Sequence, residues 1–239
     1  MAASKDTAEL KKLDKAHNFY SWSVQGTVAP MMVSHATGMY VYDTEGTEYL
    51  DFSSQLVNTN IGHSHPAVVK AIQEQAQTLA TVGPAYSSEP RVQAATRIVE
   101  LAGKDFQKVF FTNGGADGVE NAVRAARLFT KKNKVLSTYR SYHGNTGAAI
   151  VATGDWRRQP NEYATHHAHF FGPFAYRSEF WSTTEAEEGQ RALHHLERVI
   201  QSEGPDTIAA VLLESVPGTA GIMVPPPGYL KGVRELCDR

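Results

Sequence analysis

The sequence has few cysteines, no long apolar run and little net charge. Its one cysteine, Cys237, excludes an internal disulfide. No stretch approaches the ~20 apolar residues that a membrane-spanning helix needs, and the N-terminus lacks the apolar core of a secretory signal. A formal net charge of −2 gives no electrostatic reason to expect nucleic acid or an anionic membrane as partner. We therefore expect a soluble, cytoplasmic protein.

A metal site is not expected either, although the chain has ten histidines. His63 and His65 lie two positions apart before a proline, which is not a spacing typical of zinc ligands. The remaining neighbouring histidines form no convergent set with a carboxylate or thiolate: His166, His167, His169, His194 and His195.

The 239 residues instead alternate between strand and helix patterns. Aromatic-rich runs at 39–43 and 47–51, around a turn that ends at Gly46, predict a β-hairpin. Apolar residues at helical spacing predict helices at 6–20, 66–79, 89–101, 117–130, 185–201 and from 228 onward. Short apolar runs predict strands at 109–112, 134–137 and 208–213. This alternation is typical of an α/β fold with a mainly parallel sheet.

Three finer expectations follow from the same patterns. The helix at 89–101 is expected to turn Val92, Ala95, Ile98 and Val99 inward. The strand at 208–213 is expected to be buried on both faces, as a parallel sheet between helices requires. The segment 155–183 has no clear period and is interpreted as a long, functional connection.

A glycine turn joins the predicted strand 109–112 directly to the helix that follows. Gly114 and Gly115 let the backbone come close to a ligand, and the free amides near Gly115, Ala116 and Asp117 face an anion with the helix dipole behind them. The pattern predicts a phosphate cradle. An ordinary strand-to-helix turn, with Asp117 as an N-terminal charge, is the alternative that these residues leave open.

Two further candidate groups follow predicted strands. Tyr142 and His143 come after the strand 134–137; the tyrosine is suited to stack on a planar ring, and the histidine to donate a hydrogen bond or a proton. Glu214 comes directly after 208–213. Because the carboxyl ends of parallel strands meet at one edge of a sheet, we expect Tyr142 and Glu214 to lie together near the anion site. A surface aromatic turn and a carboxylate that caps its own loop are the alternatives.

Together these segments resemble the class III, or omega-amino-acid, aminotransferases of pyridoxal-phosphate (PLP) fold type I, over essentially the whole chain. The motifs that carry the resemblance occur in the family's order, at 49–53, 60–66, 112–117, 142–144 and 214–230. Gly114 and Ala116 stand where the family usually has serines, so phosphate contacts here would come from the backbone. Ser215 replaces the common proline after Glu214. The runs 53–58, 113–117 and 216–221 look closest to members that use taurine, β-alanine or other omega-amino acids with pyruvate.

The resemblance implies a truncated fold type I. Residues 1–60 would form an N-terminal small-domain segment with the hairpin, and 61–239 the first part of the large cofactor-binding domain with its mainly parallel sheet. The family's aspartate for the pyridine nitrogen and its cofactor-binding lysine would both follow Arg239. A lysine in that role is partly buried with a lowered pKa, and no lysine present suits it. We therefore expect no catalytic residue in this chain, and no transamination by the isolated 239 residues.

The resemblance also implies PLP as cofactor, a homodimer, and amino transfer from an omega-amino acid or amine to a keto acid such as pyruvate. The cofactor would be held by Gly114, Gly115, Ala116, Tyr142, His143 and Glu214. Trp22, Val57 and Tyr86 would line the substrate entrance, with core packing as the other role open to Val57.

Two alternatives stay open. One keeps PLP but changes the reaction, to decarboxylating transamination, aminomutase or epimerase chemistry. The other is a catalytically inactive fragment or pseudo-enzyme. A dinucleotide-binding module is not favoured, because the turn lacks the G-x-G-x-x-G spacing and no acidic residue ends the next strand.

Overall fold

The computed structural model of the protein describes residues 6–161 and 165–239. The expectation about a secretory signal therefore falls mostly on residues outside the described part. The described residues form two compact units, and the division falls between Gly103 and Lys104. The domain boundary at residue 60 stays a prediction. None of the described helices is long and apolar enough to cross a membrane.

The first unit contains a small antiparallel sheet. Its strands are β1 (Val33–Thr37), β2 (Tyr40–Asp43) and β3 (Glu48–Leu50), with β2 in the middle. The predicted hairpin is thus confirmed as β2–β3, while β1 was not predicted. The helices of this unit are α1 (Thr7–His17), α2 (Pro66–Thr78) and α3 (Glu89–Ala102), which confirms the three helices expected there.

The apolar face expected for α3 is not buried. Val92 is 54% exposed and Ile98 is 44% exposed, so the expectation that they point inward was wrong, whereas Ala95 and Val99 are half-buried. The spacing of apolar residues predicts which face of a helix suits a partner surface. It does not establish that the same unit supplies that surface, and no described residue of α3 is buried.

A left-handed turn follows the hairpin at Ser54–Val57. Its four residues have φ values of 49°, 51°, 56° and 67°. None is glycine, and the left-handed conformation costs roughly 1–2 kcal/mol for each such residue. Val57, a predicted substrate residue, thus belongs to the most strained stretch of backbone in the described part of the first unit.

The second unit is a three-stranded parallel sheet with helices around it. Its strands are β4 (Lys134–Thr138), β5 (His167–Phe170) and β6 (Ile208–Leu212), in the order β5–β4–β6. Its helices are α4 (Gly115–Thr130), α5 (Gly147–Ala152), α6 (Glu185–Glu203) and α7 (Tyr229–Asp238). The α/β class with a parallel sheet is confirmed, as are the predicted strands β4 and β6.

The core of this unit lies between the sheet and helices α6 and α7. Thr184 starts α6 by accepting a hydrogen bond from the Glu187 amide, a normal N-cap. The apolar spacing of α6 then places its buried residues on the sheet. The core cluster comprises Leu136, Phe170, Ala192, Leu196, Tyr229 and Val233. Each large apolar side chain buried here contributes roughly 1.5–3 kcal/mol.

Three features of the second unit differ from the sequence-based expectations. No strand forms at 109–112 within the described residues, because no strand of the described sheet lies beside that segment. β6 is half-buried rather than buried on both faces, since it is an edge strand of the described sheet. β5 and α5 were not predicted, and β5 lies inside the segment interpreted as one long connection.

The strand β5 places two histidines beside the sheet interior. Nε2 of His167 lies 2.8 Å from Oγ of Ser137, and Nε2 of His169 lies 3.0 Å from the Thr153 carbonyl oxygen. The two rings contact each other, with centroids 4.6 Å apart. Burial, with smaller contributions from His169 and His143, lowers the pKa of His167 from 6.5 to about 3. The folded protein therefore holds His167 neutral.

We expect the protein to lose stability as the pH falls from about 6.5 towards 3. In that window the unfolded chain binds a proton at His167 that the folded protein does not bind, so the free energy of unfolding decreases with falling pH. The slope from this one group is at most about 1.4 kcal/mol per pH unit. Urea unfolding at several pH values measures it. His167→Gln should flatten the curve, and the exposed control His194→Gln should not; equal slopes in both variants would contradict the assignment.

Candidate functional site

The glycine turn opens directly into helix α4. The helix begins at Gly115, two residues earlier than predicted, so Gly115 and Ala116 belong to its first turn rather than to the loop. No side chain caps this helix end. Space around Gly114 and Gly115 is open, because a Cβ placed on either would meet no atom within 4 Å. The first amides of α4 thus have the geometry of an anion-binding helix end.

The loop after β4 packs against this same helix end. Gly144 has a φ of 127°, and a Cβ at this position would lie 2.6 Å from Cβ of Ala116 and 2.9 Å from its Cα. That distance is too short for any side chain, so the main chain of residue 144 touches the first turn of α4. The structure therefore brings Tyr142 and His143 next to the predicted phosphate cradle.

Glu214 joins the loops that follow β4 and β6. Its Oε1 accepts a hydrogen bond from the Tyr142 amide at 3.2 Å, and its Oε2 accepts one from the Gly218 amide at 2.8 Å. The expectation that Tyr142 and Glu214 lie together is confirmed, across 72 positions of sequence. The alternative of a carboxylate that caps its own loop holds at the same time, because Gly218 lies in that loop.

His143 is buried with one ring nitrogen unused. Its backbone amide donates to Oγ1 of Thr153 at 3.1 Å, while Nε2 has no hydrogen-bond partner among the described residues. Burial lowers the pKa of the imidazole, and the charge of Glu214 acts in the opposite direction. A buried nitrogen without a partner costs about 1–3 kcal/mol, so this atom is suited to a group that binds in the site.

Replacing Glu214 with Gln tests this electrostatic link. We expect the pKa of His143 to fall further, since the carboxylate is the group that opposes the effect of burial. Only one amide oxygen remains to serve Tyr142 and Gly218, so the free energy of unfolding should fall by about 1–3 kcal/mol. An NMR titration of the imidazole measures the first effect. Glu197→Gln, which removes a negative charge beside Arg239, is the control; an unchanged or raised pKa of His143 in Glu214→Gln would contradict the prediction.

The structure also shows a contact to Tyr142 that the sequence did not indicate. The guanidinium of Arg157 lies over the Tyr142 ring, 3.8 Å from its centroid. Asp155 anchors this arginine, accepting from the Arg157 amide at 2.9 Å and pairing with the guanidinium. Cation–π contacts of this kind contribute about 0.5–2 kcal/mol. The Asp155–Arg157 pair lies in the segment 155–183, which the sequence predicts only as a long connection. Its i, i+2 spacing is not a pattern that indicates an ion pair or a contact with Tyr142.

The predicted substrate residues all belong to the first unit. Trp22 is 44% exposed, Val57 69% and Tyr86 68%. The core-packing alternative for Val57 is therefore wrong, because its side chain is largely in contact with solvent. Their place at a substrate entrance stays a prediction. Among the described residues, no group of three or more metal-ligating side chains converges.

The site can bind an anion by main-chain amides, hold a flat ring by an aromatic side chain, and present a carboxylate and a neutral imidazole nearby. Residues 21–239 match the family model described as Aminotransferase class-III.

Named relatives fall into the same group. The acetylornithine aminotransferase of Methanopyrus kandleri is 35% identical over 98% of this chain and 53% of that protein. Among solved structures, a taurine:2-oxoglutarate aminotransferase from Bifidobacterium kashiwanohense, in complex with PLP and glutamate, is similar with a TM-score of 0.92 and 43% identity, over 97% of this chain and 53% of that one. An omega transaminase from Pseudomonas jessenii, in complex with PMP, has a TM-score of 0.90 at 28% identity, over 96% and 53% of the two chains. The chain spans about half the length of these relatives.

Proposed function

Because this chain belongs to the class-III aminotransferases, we propose that it forms the phosphate- and ring-binding part of an enzyme that transfers an amino group from an omega-amino acid or amine to a keto acid. One observation carries the proposal. The α4 helix end, Tyr142, His143 and Glu214 come from three separate stretches of sequence, and contacts among their own residues hold them at one edge of the parallel sheet.

The residues present fit PLP on two counts. The open helix end at Gly114 and Gly115 suits a phosphate group bound by amides alone. The buried Nε2 of His143 has no partner among the described residues and suits a polar group on the ring side of the site. When bound, PLP supplies the electron sink that withdraws charge from the substrate carbon.

The chain's own residues bind and orient the cofactor in this proposal. The amides of Gly115 and Ala116 take the phosphate, and Tyr142 packs on the ring by offset stacking, which adds about 0.5–1.5 kcal/mol beyond burial. Glu214 fixes the backbone of residue 142 and places a negative charge on the ring side of the site. His143 stays neutral at physiological pH because burial lowers its pKa, so Nε2 can accept or donate one hydrogen bond.

We propose a donor with its amino group on a terminal carbon. The names of the relatives support this choice, since taurine and acetylornithine both carry a free amine at the end of the molecule. For the acceptor we propose pyruvate, with 2-oxoglutarate as the candidate that one relative's name supports. A transaminase assay on a polypeptide extended to the length of the relatives, with taurine, β-alanine and acetylornithine against both keto acids, identifies the pair. Activity with α-amino acids alone would overturn the donor class.

We also propose a homodimer. The support is a set of large apolar side chains that are almost fully exposed in the first unit, with Phe19 at 85%, Phe52 at 95% and Leu56 at 86%. Exposed apolar surface of this kind marks association sites. Sedimentation velocity should give twice the 26.2 kDa chain mass; a monomer at tens of micromolar would contradict the proposal.

Cofactor binding is tested with pyridoxamine 5′-phosphate (PMP) and inorganic phosphate as separate ligands. We expect PMP to bind at least about tenfold more tightly, because its ring adds stacking and burial to the phosphate contact. Tyr142→Ala should weaken PMP binding and leave phosphate binding unchanged. Tyr176→Ala, at a side chain 83% exposed, is the matched control. Equal affinities for PMP and phosphate in the unaltered protein would overturn the proposed function.

A further inference from the structure

A carboxylate on α4 holds the far end of the loop that carries Tyr142 and His143. Oε1 of Glu120 accepts a hydrogen bond from Oγ1 of Thr146 at 2.8 Å and another from the Ala149 amide at 3.1 Å. These partners are 26 and 29 positions away in sequence. Glu120 therefore links the helix that carries the phosphate cradle to the segment that directly follows the loop.

The bond replaces a cap that helix α5 does not supply for itself. Thr146 is the N-cap residue of α5, yet its side chain makes no capping hydrogen bond within the helix and donates to Glu120 instead. The Ala149 amide lies in the first turn, where amides lack intrahelical acceptors and a negative charge is favourable. Four residues of α5 are buried: Ala149, Ile150, Val151 and Ala152. Because these residues are packed in the interior, the start of α5 is held in place, and Glu120 therefore contacts a fixed segment.

Besides the bond from the His143 amide to Thr153, three contacts are spaced along the loop. Glu214 binds the amide of Tyr142 at the start. Gly144 packs directly on Ala116 in the middle, and Glu120 takes Thr146 at the end. Two of these three contacts are made to α4. They determine how far Tyr142 lies from the amides of Gly115 and Ala116.

We propose that Glu120 is a positioning residue for the cofactor, which sets the spacing between the ring-binding loop and the phosphate-binding end of α4. The inference rests on the proposed function. PMP carries a phosphate and a ring in one molecule, so both contacts add to its affinity only if the two subsites are spaced to fit it. When that spacing is wrong, the two contacts cannot form together and the affinity falls. Inorganic phosphate uses the helix end alone and is indifferent to that spacing.

The test is the ratio of PMP affinity to inorganic phosphate affinity in the 239-residue protein. Glu120→Ala should lower PMP affinity about tenfold and leave phosphate affinity within about twofold, so the ratio falls about tenfold. Glu120→Gln keeps an oxygen that accepts from Thr146 and Ala149, so it should restore the ratio to within about threefold. Glu197→Ala, which removes a carboxylate on α6 that pairs with Arg239, should leave both affinities unchanged.

Thr146→Val provides a second route if Glu120→Ala fails to fold. It removes the donor to Glu120 and should lower the ratio in the same direction. The inference is overturned if Glu120→Ala or Thr146→Val lowers both affinities by one common factor, or if neither changes the ratio in a protein whose unaltered form prefers PMP. An unaltered protein that does not prefer PMP overturns the proposed function itself, so the two failures are distinguishable.

Discussion

Purified 239-residue protein that is incubated with PLP and then reduced with borohydride will show no specific lysine adduct. Without reduction, the same protein with PLP and an amine donor will transfer no amino group to pyruvate. The eleven lysines of the sequence account for this result. Most of those described are exposed, whereas a lysine that binds the cofactor covalently is partly buried beside it. Lys5 lies outside the described residues.

The two half-buried lysines lie at the wrong end of the second unit. Nζ of Lys134 is paired with Glu203, and Nζ of Lys132 donates to the Pro205 carbonyl oxygen. Lys134 is the first residue of β4, while Tyr142 follows the carboxyl end of that strand. Lys131 ends α4, which at 16 residues places it roughly 24 Å from the glycine turn. We therefore expect none of the described lysines to serve proton transfer at the substrate carbon or covalent capture of the cofactor.

Peptide mapping of the reduced protein locates the adducts. Turnover is measured separately, on unreduced protein, as the alanine formed from pyruvate. Urea-unfolded protein treated in the same way is the control, because it reports random modification of all lysines. A single adduct in the folded protein, absent from the control and accompanied by alanine formation, would show that one of these lysines is catalytic.

Gly154→Ala will destabilise the second unit by about 3 kcal/mol, near the upper end for overpacking of a tight site. The main chain at Gly154 crosses the end of β4 at contact distance. A Cβ there would lie 2.6 Å from Cα of Tyr139 and closer still to the carbonyl oxygen of Thr138. Both neighbours are backbone and cannot rotate away. The crossing is also hydrogen-bonded, from the Gly154 amide to the Ser141 carbonyl and from the Arg140 amide to the Gly154 carbonyl.

Urea denaturation of Gly154→Ala and Gly118→Ala gives the comparison. Gly118 lies in α4 with only Oγ1 of Thr112 near its Cβ position, at an ordinary 3.7 Å. An alanine there should stabilise the helix by roughly 0.5–1 kcal/mol. The two substitutions are chemically identical and should shift the midpoint in opposite directions. A Gly154→Ala protein with an unaltered midpoint would mean that this crossing is not as tight as the structure shows.

The candidate site was largely predictable because each of its motifs is local in sequence, and because the topology of a parallel sheet brings those motifs together. A glycine turn before a helix, an aromatic residue after one strand and a carboxylate after another are each visible in sequence, and parallel strands bring their ends to one edge. The hydrogen bond from Tyr142 to Glu214 follows from that rule. The roles of Glu120 and Arg157 were missed because each acts through a partner that no sequence pattern specifies.

The errors in the fold have a common physical cause. A sequence pattern reports what a segment would do with a suitable neighbour, and it does not report whether the neighbour is there. The run at 109–112 has strand propensity but no strand beside it in the described sheet, and the described part of the first unit leaves Val92 and Ile98 about half exposed. β5 was missed for the opposite reason: His167 and His169 are polar by type, yet they contact each other and the sheet interior.

Glu214 holds residue 142 by its main-chain amide, and the α4 end offers main-chain amides to an anion. Hydrogen bonds made by main-chain amides do not depend on which side chain the residue carries. The main-chain contacts of this loop would persist with another aromatic side chain at residue 142, whereas the Arg157 contact depends on the ring. If Tyr142 binds the cofactor ring as proposed, substitution by phenylalanine or tryptophan would change cofactor affinity while the main-chain contacts that hold the loop stay in place.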